Sequence, residues 1–129
     1  MIYTVNRIKV DFVNYPYPWI QPIQMHDSFR LASSQDIGAM KLNAISGRGA
    51  KKDFIDVYFL LREFSLTELL QFYREKYQEG SEFLVLKSLT YFEDANLETM
   101  PLMSEKLDWE EVKEFLRQEV RIYILSGTP

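Results

Sequence analysis

The stretch DIGAMKLNAISGRGAKKDFIDVYFLL, residues 36–61, decides the architecture. In its first half Ile37, Met40 and Ala44 recur at helical spacing, and Ser33-x-x-Asp36 resembles a capping box in which Asp replaces the usual Glu or Gln. This predicts a helix running to about Ser46, which the glycines of GRGA at 47–50 end. Lys51 to Phe64 carries Phe54, Ile55, Val57, Tyr58 and Leu61, the pattern of a second helix buried on much of its circumference. Two helices joined by so short a turn return antiparallel. Lys41, in the middle of the first, is thereby expected within ion-pairing reach of Asp53 or Asp56 on the second.

Toward the C-terminus the helical period continues. Ser65-Leu-Thr-Glu68 is a capping box opening a third helix to Gln78, with Gly80 as its stop, and Ser81 caps a fourth from about Glu82 to Asn96. Asp108-x-x-Glu111 opens a last helix to about Leu125. Phe54, Ile55, Tyr58 and Leu61 are expected at the core centre, against Leu42, Ile45, Leu69, Phe72, Leu86 and Leu89.

Toward the N-terminus the period is different. IYTV at 2–5 and IKVDFV at 8–13, joined by Asn6-Arg7, read as a β-hairpin, and Ile8, Val10 and Phe12 share one face. YPYPWIQP at 15–22 carries three prolines and reads as an extended aromatic connector, and Phe29–Ala32 fits one more short strand. The expected class is therefore α+β: short N-terminal strands followed by about five helices, in one domain over 1–129 with a β-rich segment and connector at 1–32 and a helical part at 33–129. The edges of a lone hairpin need covering, so residues 2–13 are expected to pair in a homodimer or larger oligomer.

Composition narrows the chemistry. The 129 residues include no cysteine, which removes disulfides, thiol nucleophiles and thiolate metal sites, and a single histidine, His26, cannot build a multi-histidine metal cluster. The apolar runs are far shorter than the roughly 20 residues of a membrane span, so the chain reads as soluble and cytoplasmic with no membrane partner. Residues 1–62 hold eight Lys and Arg against five Asp, whereas 63–129 hold seven against fourteen acids. Two readings fit this asymmetry: two solvated faces of opposite sign, or an anion site in the basic half.

The densest polar cluster lies in 36–56. Lys41 borders a largely apolar helix face, where a lysine either snorkels to water or holds a point charge toward a phosphate. Asp53, Asp56 and Lys52 share a flank of the second helix, as a surface ion pair or as partly buried acids paired with Lys41 or Arg48. Asp11, flanked by apolar residues in IKVDFV, is placed on a strand face as a carboxylate that could hold magnesium. Walker-type loops, GxSxG and HExxH are absent from the sequence.

With residues 36–61 preceded by IKVDFVNYPYP and followed by a capped helix and YFEDA at 91–95, the chain resembles the AbiEii/AbiGii-type nucleotidyltransferases, toxins of bacterial abortive-infection and toxin–antitoxin systems. The resemblance covers roughly 1–100 and rests chiefly on Lys41, Arg48, Lys52, Asp53 and Asp56. It implies a polymerase-β-like fold, of which this chain resembles the C-terminal portion, with magnesium and a nucleoside triphosphate as cofactor and substrate. It implies Lys41 near the triphosphate with Arg48 and Lys52 as further phosphate contacts, Asp53 and Asp56 in the final acidic motif, and Asp11 as the third strand carboxylate. A cognate antitoxin and tRNA are the partners it suggests. The family's Gly-Gly-Ser/Thr and Asp-x-Asp motifs do not occur in this sequence. Two functional readings follow: a nucleotidyltransferase portion that is catalytically incomplete alone, or a non-catalytic protein-binding module derived from that family.

Overall fold

The computed structural model describes residues 17–22, 24–26, 29–102 and 106–126. Among them six α-helices form the fold: α1 (Ser34–Arg48), α2 (Lys51–Leu60), α3 (Leu66–Lys76), α4 (Glu82–Ser88), α5 (Glu93–Asn96) and α6 (Trp109–Leu125). The capping residues start them as their chemistry dictates. Ser33 Oγ accepts from Asp36 N at 3.1 Å, Ser65 and Glu68 exchange reciprocal bonds at 2.9 and 3.0 Å, Ser81 Oγ accepts from Leu84 N, and Asp108 accepts from Glu110 N.

The α+β expectation is corrected. Among the described residues the chain is helical, and the extended pairing they show is a ribbon of two three-residue strands, Gln24–His26 against Phe29–Leu31, with Met25 opposite Arg30. Such a ribbon is too small to form a layer on which helices could rest; the helices instead bury their apolar faces on one another. The hairpin expected at 2–13, the dimer contact built on it and Asp11 lie outside the described residues.

Helix α1 packs on α3, α2 and α4, and α6 closes over α2 and α3. At the α1–α3 crossing a Cβ on Gly38 would stand 2.8 Å from a Leu69 methyl, so any larger residue there requires the Leu69 side chain to shift. The core runs from Leu42 and Ile45 through Phe54, Val57 and Leu60 to Leu69, Leu70, Tyr73, Val85, Leu89, Val112 and Leu116. Tyr58, Leu61, Phe72 and Leu86, expected at its centre, pack on its margin half-buried.

Several boundaries differ from the sequence pattern for local reasons. Helix α2 stops at Leu60 because the chain tightens to three-residue turns, Arg62 N to Phe59 O and Glu63 N to Leu60 O, before Ser65 caps α3. The expected fourth helix breaks in two. Thr90 Oγ1 donates to Lys87 O at 3.2 Å and Tyr91 N to Ser88 O, so a β-branched residue and a tight turn end α4 before α5 begins.

Candidate functional site

Helices α1 and α2 are linked across Gly49 and Ala50 and fold back on each other, which sets Lys41 against the middle of α2. Lys41 Nζ donates to Asp53 Oδ1 at 3.1 Å and lies 2.8 Å from Asp56 Oδ2. The three side chains are only 14%, 12% and 7% exposed, so a single ammonium is shared by two nearly buried carboxylates. The acids differ in their remaining oxygens. Asp53 Oδ2 accepts from Ala50 N at 3.1 Å at the N-terminus of α2, where the helix dipole favours negative charge. Asp56 Oδ1 is buried with no hydrogen-bond partner among the described residues.

Burial pushes the Asp56 carboxyl up to about 7, even with Lys41 beside it. Between the unfolded value of 3.8 and about 7 the folded state therefore binds more protons than the unfolded chain, and stability falls as pH rises through that window. The contribution is fully present below pH 3.8 and lost above about 7. In urea titrations from pH 4.5 to 8, Asp56→Asn is expected to flatten the decline by on the order of 2 kcal/mol. A wild-type profile no steeper than the variant's would contradict this.

The other basic residues singled out in the sequence do not join the cluster. Arg48 pairs with Asp94 at 3.3 Å with its side chain 82% exposed, and Lys52 is exposed on the outer side of α2. A surface pair such as Arg48–Asp94 adds little stability.

Three buried lysines escaped the sequence reading, Lys51, Lys76 and Lys113, the last of them bonded to Asn96 and Glu110. Lys51, in the first turn of α2, donates its backbone N–H to Glu98 Oε1 and its ammonium to Glu98 O at 2.6 Å, beneath the Trp109 ring. Lys76 is fully buried with Asp36 at 3.0 Å. Its ammonium also donates to Pro18 O and lies 4.0 Å from the Trp19 ring centre. Asp36 Oδ1 accepts from Ile20 N and Oδ2 from Gln21 N, so this pair straps the aromatic connector onto α1 and α3. Beside it opens a cleft of 490 Å³ edged by Tyr17, Pro18, Asn43 and Tyr77. The signal was present in the sequence: Lys76 sits on the same stripe as Leu66, Leu69, Leu70 and Tyr73.

No group of three or more Asp, Glu or His among the described residues could hold a metal ion. Magnesium does not fit Asp53 and Asp56, because their facing oxygens are already taken by Lys41. An ammonium has three N–H donors; Lys41 donates one to Asp53 and faces Asp56 at 2.8 Å, so at least one is without a protein partner among the described residues. No helix among those residues is long and apolar enough to cross a membrane.

Comparison with known proteins gives a family match over residues 3–122, to the model described as "Nucleotidyl transferase AbiEii toxin, Type IV TA system". An uncharacterized protein of Aquifex aeolicus (strain VF5) is 36% identical over 128 residues, covering 96% of this chain and 61% of that relative. The chain thus spans less than two thirds of the length of the curated relative it matches. No solved structure matches.

Proposed function

This chain belongs to the AbiEii nucleotidyl transferase toxin family, and we propose that it forms the helical, phosphate-binding portion of such a toxin, unable to transfer a nucleotide alone. The observation that carries this reading is Lys41, whose ammonium is fixed by Asp53 and Asp56 with a donor left open among the described residues. A fixed point charge can orient a phosphate chain without losing side-chain entropy on binding. Asp53 and Asp56 act here as positioning residues: they hold the lysine rather than a metal. Arg48 and Lys52 stand on the exposed surface and contribute at most to the surrounding field.

Nucleotidyl transfer also needs groups that neutralise charge on the reacting phosphates, and this is the task of the metals held by the family's Asp-x-Asp pair. That pair is absent from the sequence, and Asp11 is the one strand carboxylate that the family resemblance assigns. Magnesium and a nucleoside triphosphate are thus what the family uses, and tRNA is the acceptor to test. The family's toxin–antitoxin description makes a cognate antitoxin the expected cellular partner.

The test has two readouts on the same chain. Equilibrium dialysis with labelled ATP is expected to show binding that Lys41→Met weakens at least tenfold, about 1.4 kcal/mol or more. Incubation with each labelled nucleoside triphosphate, magnesium and tRNA is expected to leave the RNA unlabelled. Binding indifferent to Lys41→Met would remove the phosphate-site reading. Labelling that Asp11→Ala abolishes would show the chain to be catalytically complete.

A further inference from the structure

We propose that a phosphate-type oxyanion binds Lys41 together with a proton that Asp56 takes up, so that occupancy of the site is gated by pH through Asp56. The inference rests on the reading of Lys41 as a phosphate ligand and names the regulation of that site. The argument begins with charge. One ammonium between two carboxylates leaves the cluster at net −1 when both acids are ionised, and all three side chains are at least 86% shielded from water. A dianion approaching the open N–H of Lys41 then meets repulsion in a poorly screened environment. A proton on one acid makes the cluster neutral and turns the ammonium toward the incoming charge.

The geometry selects which acid. Asp53 has both of its oxygens served, by Lys41 and by the Ala50 N–H at the start of α2. Asp56 has Lys41 on one oxygen and, among the described residues, no donor on the other, in a side chain 7% exposed. The groups facing Asp56 are few among the described residues. They are Lys41 from α1, then Asp53 and the exposed Lys52 from α2 itself. Helix α6 meets α2 through Phe115 on Tyr58 and through Trp109 beside Lys51, with Glu110, Glu111 and the Glu110-paired Lys113 as the charged groups at that end. With the Asp56 carboxyl raised by burial to about 7, the gate opens below neutral pH and closes above it.

The probe is sulfate, which stays a dianion from acid to alkaline pH and so contributes no titration of its own. Binding to the full chain is followed by NMR chemical shifts at constant ionic strength. The dissociation constant is expected to rise about tenfold from pH 6 to pH 8. In Asp56→Asn the cluster is neutral at every pH, so the variant is expected to bind at pH 8 as tightly as the wild type does at pH 6. Calorimetry on the wild type alone, in two buffers of different ionisation enthalpy, is expected to report about half a proton taken up per sulfate at pH 7. This second measurement stands even if the variant folds poorly. Sulfate binding that is lost in Lys41→Met yet independent of pH would overturn the gate and leave the phosphate site intact. Absence of sulfate binding at pH 6 would overturn both.

Discussion

Phe54→Ala is expected to destabilise the folded chain by about 3–5 kcal/mol, read as a lower midpoint in urea with an unchanged slope. Phe54 is 2% exposed and its ring meets Phe92 at 5.1 Å and Trp109 at 6.2 Å, while those two rings lie 5.8 Å apart. One side chain thus joins α2 to the start of α5 and the start of α6 through three mutual aromatic contacts. Edge-on aromatic pairs add about 0.5–1.5 kcal/mol each beyond the area they bury. The site cannot collapse easily, because the rings around it are held by other bonds: Trp109 Nε1 donates to Asn96 Oδ1 at 2.8 Å, and Lys51 lies against the same indole. A cavity would remain. Phe83, 74% exposed on α4, is the control, and its alanine variant is expected to stay within about 0.5 kcal/mol of wild type. A loss below about 1 kcal/mol for Phe54→Ala would mean that the ring triad is not packed as described.

How much of this fold could be read from the residues depended on the range of the interaction. The N-caps Ser33, Ser65, Ser81 and Asp108 are local, since a side-chain oxygen and an N–H two or three residues on define them, and they mark where helices begin. Helix ends were less legible. The break after Ser88 depends on Thr90 preferring Lys87 O over the continuing ladder, which no periodicity of apolar residues reports. In α1 Ile37, Leu42 and Ile45 are buried as their apolar character suggests, whereas Ala44, which shares the helical spacing of Ile37 and Met40, is exposed and Ala39 is buried instead. The class itself was misread from residues 2–13, since β-rich runs at one end say nothing about whether the helices rest on a sheet.

The candidate site divides the same way. Lys41 with Asp53 and Asp56 was legible because two consecutive helices and a short connection leave the lysine little choice of neighbour. Arg48 and Lys52 belong to the same motif in sequence, but helix geometry turns them outward, and proximity along the chain did not become proximity in space. Asp36 shows the opposite error. Its spacing from Ser33 reads as a helix cap, and Asp36 N does bond Ser33 Oγ, but the carboxylate serves a lysine 40 residues away. Capping spacing constrains a backbone N–H. It does not decide where the carboxylate points once α3 arrives.

That misread pair is the second place where a large effect is expected. In Asp36→Ala the buried Lys76 ammonium loses the Asp36 carboxylate, and the expected loss is about 3–5 kcal/mol, as for breaking other buried pairs. Burial pushes the Lys76 pKa down while the Asp36 hydrogen bond and charge pull it up, so removing the acid lets desolvation win and the lysine tends toward its neutral form. Lys76→Met is expected to be milder, because the Asp36 carboxylate keeps Ile20 N, Gln21 N and Ser33 Oγ as donors within 3.0 Å. The double variant separates charge from strap. With both ions gone no stranded charge remains, so Asp36→Ala with Lys76→Met should be more stable than Asp36→Ala alone. It should still fall short of wild type by about 1–3 kcal/mol, since the connector N–H groups at 20 and 21 lose their acceptor. Urea midpoints for the four proteins of this cycle decide the matter. A double variant whose loss equals the sum of the single losses would show that Asp36 and Lys76 stabilise the fold independently, and that the connector is held by something other than their bond.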